Sequence, residues 1–146
     1  SFPTRRSSDL QQTSRTVNEI YYRLRMHVAH TNKAQFIFKP GTYDDEFYRL
    51  DDAIEEFVQA MPGFLGVERW QSAEGVTKNS IYYFANKETL TEFARYPDHL
   101  TAKAGVQRWY DGYEVVISEV VAAYGDGKIP SIASSVKGKG SFYSSK

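Results

Sequence analysis

The chain has 146 residues, enough for one domain with a real core, and is rich in aromatics at 15%, with 11 Tyr and 9 Phe. Basic and acidic side chains balance at 18 each, so no electrostatic footprint argues for a nucleic-acid partner or an anionic membrane. Cysteine is absent, which removes disulfides, thiolate catalysis and zinc–cysteine sites and fits a reducing, cytoplasmic setting.

Residues 1–25 are expected to be a non-native or disordered extension. The first ten, SFPTRRSSDL, closely resemble translated sequencing-adapter read-through at the ends of metagenomic gene models. Gln11 to Arg25 has weak periodicity, and Met26, one of two methionines, stands just before the first convincing strand as a natural start. The alternative is that Val17 to Leu24 forms a short helix lying on the domain. Without residues 1–25 the protein keeps 13 basic and 16 acidic side chains, a net of −3, which weakens a nucleic-acid reading further. No signal-peptide pattern is visible at either start.

The domain proper is expected over 26–127. Ala34–Lys39 reads as a strand of aromatic and β-branched residues stopped by Pro40-Gly41. Thr42 is placed to cap the next helix, with Asp45 three residues on. Phe47, Leu50, Ile54, Phe57, Val58 and Met61 then recur at helical spacing, while Asp44, Asp45, Glu46, Asp51, Asp52, Glu55 and Glu56 take the other positions. That acid run reads as the solvated face of an amphipathic helix, which ends at Pro62-Gly63.

Gly63–Gln71 is the second strand, with Phe64, Gly66, Glu68 and Trp70 on one face and Leu65, Val67 and Arg69 on the other. A polar hairpin over Ser72–Lys78 leads to Ser80–Ala85, a strand apolar on both faces and therefore central or covered twice. Asn86 caps a short helix that Tyr96-Pro97 breaks, and the helix resumes through Leu100, Ala104 and Val106 to Trp109 and Tyr110. Tyr113–Tyr124 is the last strand. The tail, 128–146, is rich in Ser, Lys and Gly and buries too little to offset ordering entropy.

Strand–helix–strand, repeated across a hairpin, specifies an α+β fold of ferredoxin-like split-βαβ type: a four-stranded antiparallel sheet with its helices on one face. The other face also carries apolar side chains, with no helix left to cover it. A second copy packed sheet against sheet is the economical cover, so a homodimer is expected.

Pro62-Gly63-Phe64, the run Ser80-Ile81-Tyr82-Tyr83-Phe84-Ala85-Asn86-Lys87-Glu88, and Tyr96-Pro97-Asp98-His99-Leu100 resemble the antibiotic biosynthesis monooxygenase family of dimeric α+β barrels. The resemblance covers about ninety residues, Phe36 to Tyr124, as a pattern of placement rather than a strict signature. It implies an oxidoreductase, since members include monooxygenases that form quinones without metal or flavin. Haem-degrading enzymes and proteins of unknown role also belong. It further implies a pocket between sheet and second helix, lined by Tyr82, Phe84, His99, Lys103 and Trp109. The haem-degrading pattern is not met: Phe84 stands where those enzymes have Trp, Lys103 where they have His, and the first strand offers Gln35 rather than Asn.

His99 is the ionisable group best suited to chemistry, as a base taking a proton from a phenol or as a haem ligand. It equally suits a packing role after the break at Pro97. Tyr82, Tyr83, Trp70, Trp109 and Tyr110 suit stacking on a planar ligand and equally a core or subunit interface. Arg108 reads as a surface ion pair before a carboxylate anchor. His27 and His30 lie near the start, with little to suggest a metal site. No GxGxxG, P-loop or HExxH occurs, so nucleotide-dependent and zincin chemistry lack support. Three readings stay open: a cofactor-independent oxygenase acting on a small aromatic or quinol-like compound with His99 as base, a haem-binding barrel with His99 as ligand, and a non-catalytic ligand-binding or stress-response barrel. No metal and no membrane partner are expected.

Overall fold

The computed structural model describes residues 31–135; residues 1–30, with His27 and His30, and residues 136–146 lie outside the described part. In sequence order the elements are β1 (Asn32–Pro40), α1 (Asp45–Ala60), β2 (Phe64–Gln71), β3 (Lys78–Phe84), α2 (Lys87–Ala94), α3 (Pro97–Trp109), β4 (Tyr110–Glu119) and α4 (Ile132–Ser135). The strands form one antiparallel sheet in the order β2-β3-β1-β4. This is the ferredoxin-like arrangement, and β3, apolar on both faces, is indeed a central strand.

α1 starts at Asp44, not Thr42: the Asp44 carboxylate accepts from the Phe47 backbone N–H at 2.9 Å. Asp outranks Thr as an N-cap, and its charge favours the positive helix end. α2 is capped in the same way by Asn86, whose side chain accepts from Thr89 N–H at 2.8 Å. Pro97 opens α3, where a missing N–H costs nothing. Between β2 and β3 the backbone turns through Ser72–Thr77, closed by Ser72 N–H to Thr77 O at 2.8 Å.

The core lies between the sheet and the helices: Val58 and Met61 of α1 meet Phe84 of β3 and Leu90 and Phe93 of α2. Cross-strand register puts Ala34, Tyr82 and Ile117 on this inner face, with Phe36 and Val115 one step along.

The two faces of β2 differ from strict alternation. Phe64 pairs with Phe84 but Gly66 pairs with Tyr83, so Leu65 is an extra, bulged residue. Phe64 therefore joins the inner core, whereas Glu68 reaches Tyr83 on the outer face. Gly66 is required at the bulge: its φ is +143°, and a Cβ there would sit 2.9 Å from Ile132 Cδ1.

That contact marks a second difference. Ile132 and Ala133 pack with Leu65, Ile81, Tyr83, Val120 and Ala123 on the outer face, and Ile132 N–H donates to Glu68 at 2.8 Å. The protein thus supplies its own cover for one end of the face that was expected to be bare. Ile132 and Ala133 are the apolar residues of a Ser-rich stretch too short to show a period. β4 also ends earlier than Tyr124, at Glu119; Val120 just beyond it donates to Thr31 O at 2.8 Å and joins that outer cluster.

Candidate functional site

On the inner face a cavity of about 190 Å³ opens between the sheet and the helices. Ala34, Phe36, Tyr82, Val115 and Ile117 form its sheet wall; Phe47, Leu50, Asp51 and Ile54 come from α1; Phe93 comes from α2; and His99, Lys103, Val106 and Trp109 come from α3. A larger groove of about 800 Å³ between α1 and α2, rimmed by Lys87, Glu92 and Arg95, is an open surface channel without an enclosing wall.

Four of the five residues singled out by sequence line the cavity: Tyr82, His99, Lys103 and Trp109. The fifth, Phe84, is fully buried in the core beneath and is not on the wall. Tyr83 and Trp70 are on the outer face, away from the cavity, because strand alternation carries them there. Tyr110, by contrast, lines it. Arg108 pairs with Asp44 at 3.0 Å and Glu46 at 3.1 Å, a surface ion-pair cluster.

Helical spacing on α3 aligns His99, Lys103 and Val106 on one stripe. The His99 ring stacks on Phe93 at 4.6 Å between centroids, and its Nδ1 lies 3.2 Å from the Phe93 carbonyl. A carbonyl only accepts, so Nδ1 carries the proton and Nε2 keeps its lone pair. Burial, and then the charge of Lys103, push the imidazole down to about 4 against the two backbone carbonyls that favour its proton. His99 is therefore neutral and weakly basic at pH 7, not poised near neutrality. Lys103 itself donates to Ala94 O at 3.1 Å.

Trp109 is buried to 2% exposure, its indole N–H donating to Asp44 at 3.0 Å. It lies along its own helix because Gly105, one turn earlier, has no side chain: a Cβ there would come within 2.7 Å of the indole ring. Tyr82 donates to Glu55 at 3.3 Å, and burial with that carboxylate raises its phenol to about 12. Arg69 meets the same Glu55 oxygen at 3.4 Å.

Asp51 is the wall residue that the sequence pattern hides. Although exposed overall, its carboxyl is raised by desolvation and by the charges of Glu55 and Asp52, against Arg69. The acid run places it with Glu55 on the solvated face of α1. A contrary signal is present: Asp51 is four residues after Phe47 and three before Ile54, so it shares their stripe.

A porphyrin does not fit this cavity, which is smaller than the ~300–1,000 Å³ of ordinary drug-sized pockets. His99 also lies flat on Phe93 instead of standing clear as an axial ligand does. Among the described residues no three His, Cys, Asp or Glu gather as metal ligands, and no helix is long and apolar enough to cross a membrane.

No family model matches the sequence, and no curated protein matches it. Solved structures do. Rv0793 from Mycobacterium tuberculosis superposes with a TM-score of 0.52 at 18% identity, covering 65% of this protein and 99% of that one. SnoaB, a cofactor-independent oxygenase from Streptomyces nogalater, gives 0.50 at 12% identity over 62% of this protein and 93% of its own length. PA3566 from Pseudomonas aeruginosa gives 0.51 at 12% over 66% and 99%. At such identities the likeness shows the fold: the ferredoxin-like α+β plan that the antibiotic biosynthesis monooxygenase type shares.

Proposed function

We propose that this protein is a cofactor-independent monooxygenase of the antibiotic biosynthesis monooxygenase type, acting on a small phenolic or quinol-like aromatic. The observation that supports it best is the cavity itself: apolar and aromatic walls, room for one or two rings, and a neutral imidazole beside an ammonium on α3. An engineered apolar cavity of ~150 Å³ holds benzene, which sets the scale. SnoaB, with the same fold, is a cofactor-independent oxygenase.

In this reading His99 Nε2 accepts the phenol proton. A phenolate next to the ring favours the imidazolium, which offsets the low basicity of His99 in the free cavity. The electron-rich ring carbon then reduces dioxygen and bonds to one of its oxygens, giving a hydroperoxide. Loss of water leaves the quinone: phenol plus O₂ gives quinone plus H₂O, with no other reductant. Tyr82 and Trp109 hold the ring plane. Oxygen uptake with a panel of naphthols and hydroquinones is expected to fall about a hundred-fold or more in His99→Ala, the scale of general-base catalysis. Uptake unchanged by that substitution would overturn the role of His99.

The depressed basicity of His99 favours a second reading, in which the same cavity binds an aromatic ligand without turnover. Binding without oxygen uptake would select it. In either case a second copy is the proposed partner. Trp70 and Val116 on the outer face, and Val115 and Ile117 on the edge strand, are 36–59% exposed, an apolar surface suited to a twofold contact.

A further inference from the structure

The charges on the cavity wall are segregated. Lys103 comes from α3, and among the described residues no carboxylate lies within ion-pair distance of it. One of its three protons goes to Ala94 O at 3.1 Å, which leaves donors for something else. Its neighbour His99 places Nδ1 3.2 Å from the Phe93 carbonyl. Asp51 is on the α1 wall, where its electrostatic partners are Glu55, Asp52 and Arg69 rather than Lys103. An exposed ammonium without a counter-ion at the edge of an aromatic cavity can receive an anion. The rings of that cavity, Phe36, Phe47 and Trp109, admit a planar body.

We propose that the natural ligand is a one- or two-ring hydroxyaryl carboxylate whose carboxylate is held by Lys103. This names the ligand class of the cavity. It rests on reading the cavity as an aromatic-binding site and not on turnover. Lys103 is then a specificity-determining residue: a neutral aromatic of the same shape leaves the ammonium without a partner and forfeits a charge-assisted bond.

The test is calorimetric titration of the full-length protein with 6-hydroxy-2-naphthoate and with its methyl ester, which differ at the carboxylate alone and are stable in air. The wild type is expected to bind the acid about ten-fold or more tighter than the ester, the scale of one charge-assisted hydrogen bond. Lys103→Met is expected to lower affinity for the acid to that for the ester, and Lys103→Arg to keep most of the preference. Lys103 is exposed, so neither variant threatens the core. Equal affinity for acid and ester in the wild type overturns the inference, as does a preference that survives Lys103→Met or the absence of binding by both. Preference for the acid without oxygen uptake from any hydroxyaryl compound sinks the oxygenase reading and leaves this inference standing. Turnover of neutral hydroquinones without any preference for the acid does the reverse.

Discussion

At the scale of single residues, His99 sets the clearest expectation. Its imidazole is held at about 4, against an ordinary 6.5, chiefly by burial and then by Lys103. The folded state binds that proton less readily than the unfolded state does. The contribution to stability is therefore complete above pH 6.5 and is lost as pH falls towards 4. Proton titration of the His99 ring by NMR should give a midpoint near 4. His99→Gln should lose about 2 kcal/mol less stability than wild type between pH 7 and pH 4, after discounting for partial exposure. A ring titrating at 6–7 would show that the imidazole is solvated. Gly105 supplies a second test: Gly105→Ala drives a methyl into the Trp109 ring and should cost about 1–3 kcal/mol in urea unfolding, with a shift in Trp fluorescence. Unchanged stability and emission would mean that the ring has room to move.

At the scale of elements, Asp44 ties two together. Its carboxylate caps α1, accepts from Trp109 at the end of α3, and pairs with Arg108. Asp44→Ala should lower the urea midpoint through the lost cap, whereas Asp44→Asn should retain part of it. The bulge in β2 carries a second element-scale expectation. Gly66→Ala meets both a backbone at φ +143° and Ile132, so it should raise the protease sensitivity of the segment that follows Val120 and lower the melting temperature. A variant as resistant as wild type would mean that Ile132 is not fixed there.

The elements themselves were legible in the sequence because their signals are local: Pro40-Gly41, Pro62-Gly63, Asn86 and the break at Pro97 all bound real elements. What the sequence concealed depends on long-range register. Strict alternation misplaced Phe64, since only pairing with β3 reveals Leu65 as an extra residue. Asp51 looked like one acid among many because the run surrounding it is mostly solvated; the stripe it shares with Phe47 and Ile54 becomes visible once the cavity between α1 and α3 is seen. Phe84 and Tyr82 lie on the same strand face, yet only the depth of the core separates a wall residue from a buried one. Ile132 and Ala133 lie in a stretch too short for any period to show.

At the scale of the molecule, two surfaces ask for partners. One is the outer face beyond the reach of Ile132 and Ala133, with Trp70 at 55% exposure and Val116 at 36%. The other is the edge strand β4, where Val115 and Ile117 are at once exposed and part of the cavity wall. A second copy across these residues would shield the cavity as well as the sheet. Sedimentation equilibrium should give a dimer, and Trp70→Glu with Val116→Glu should shift it towards monomer. A wild-type monomer at tens of micromolar would contradict that assembly.

Oxygen transfer in this cavity is the central proposal, and the fate of the oxygen atoms tests it most directly. Incubation of the full-length protein with a hydroxynaphthoate under ¹⁸O₂, followed by mass spectrometry, should give a quinone bearing one ¹⁸O, with the other atom in water. Peroxide as the sole reduced product, or no enzyme-dependent product at all, would contradict monooxygenation and leave the cavity as a binding site.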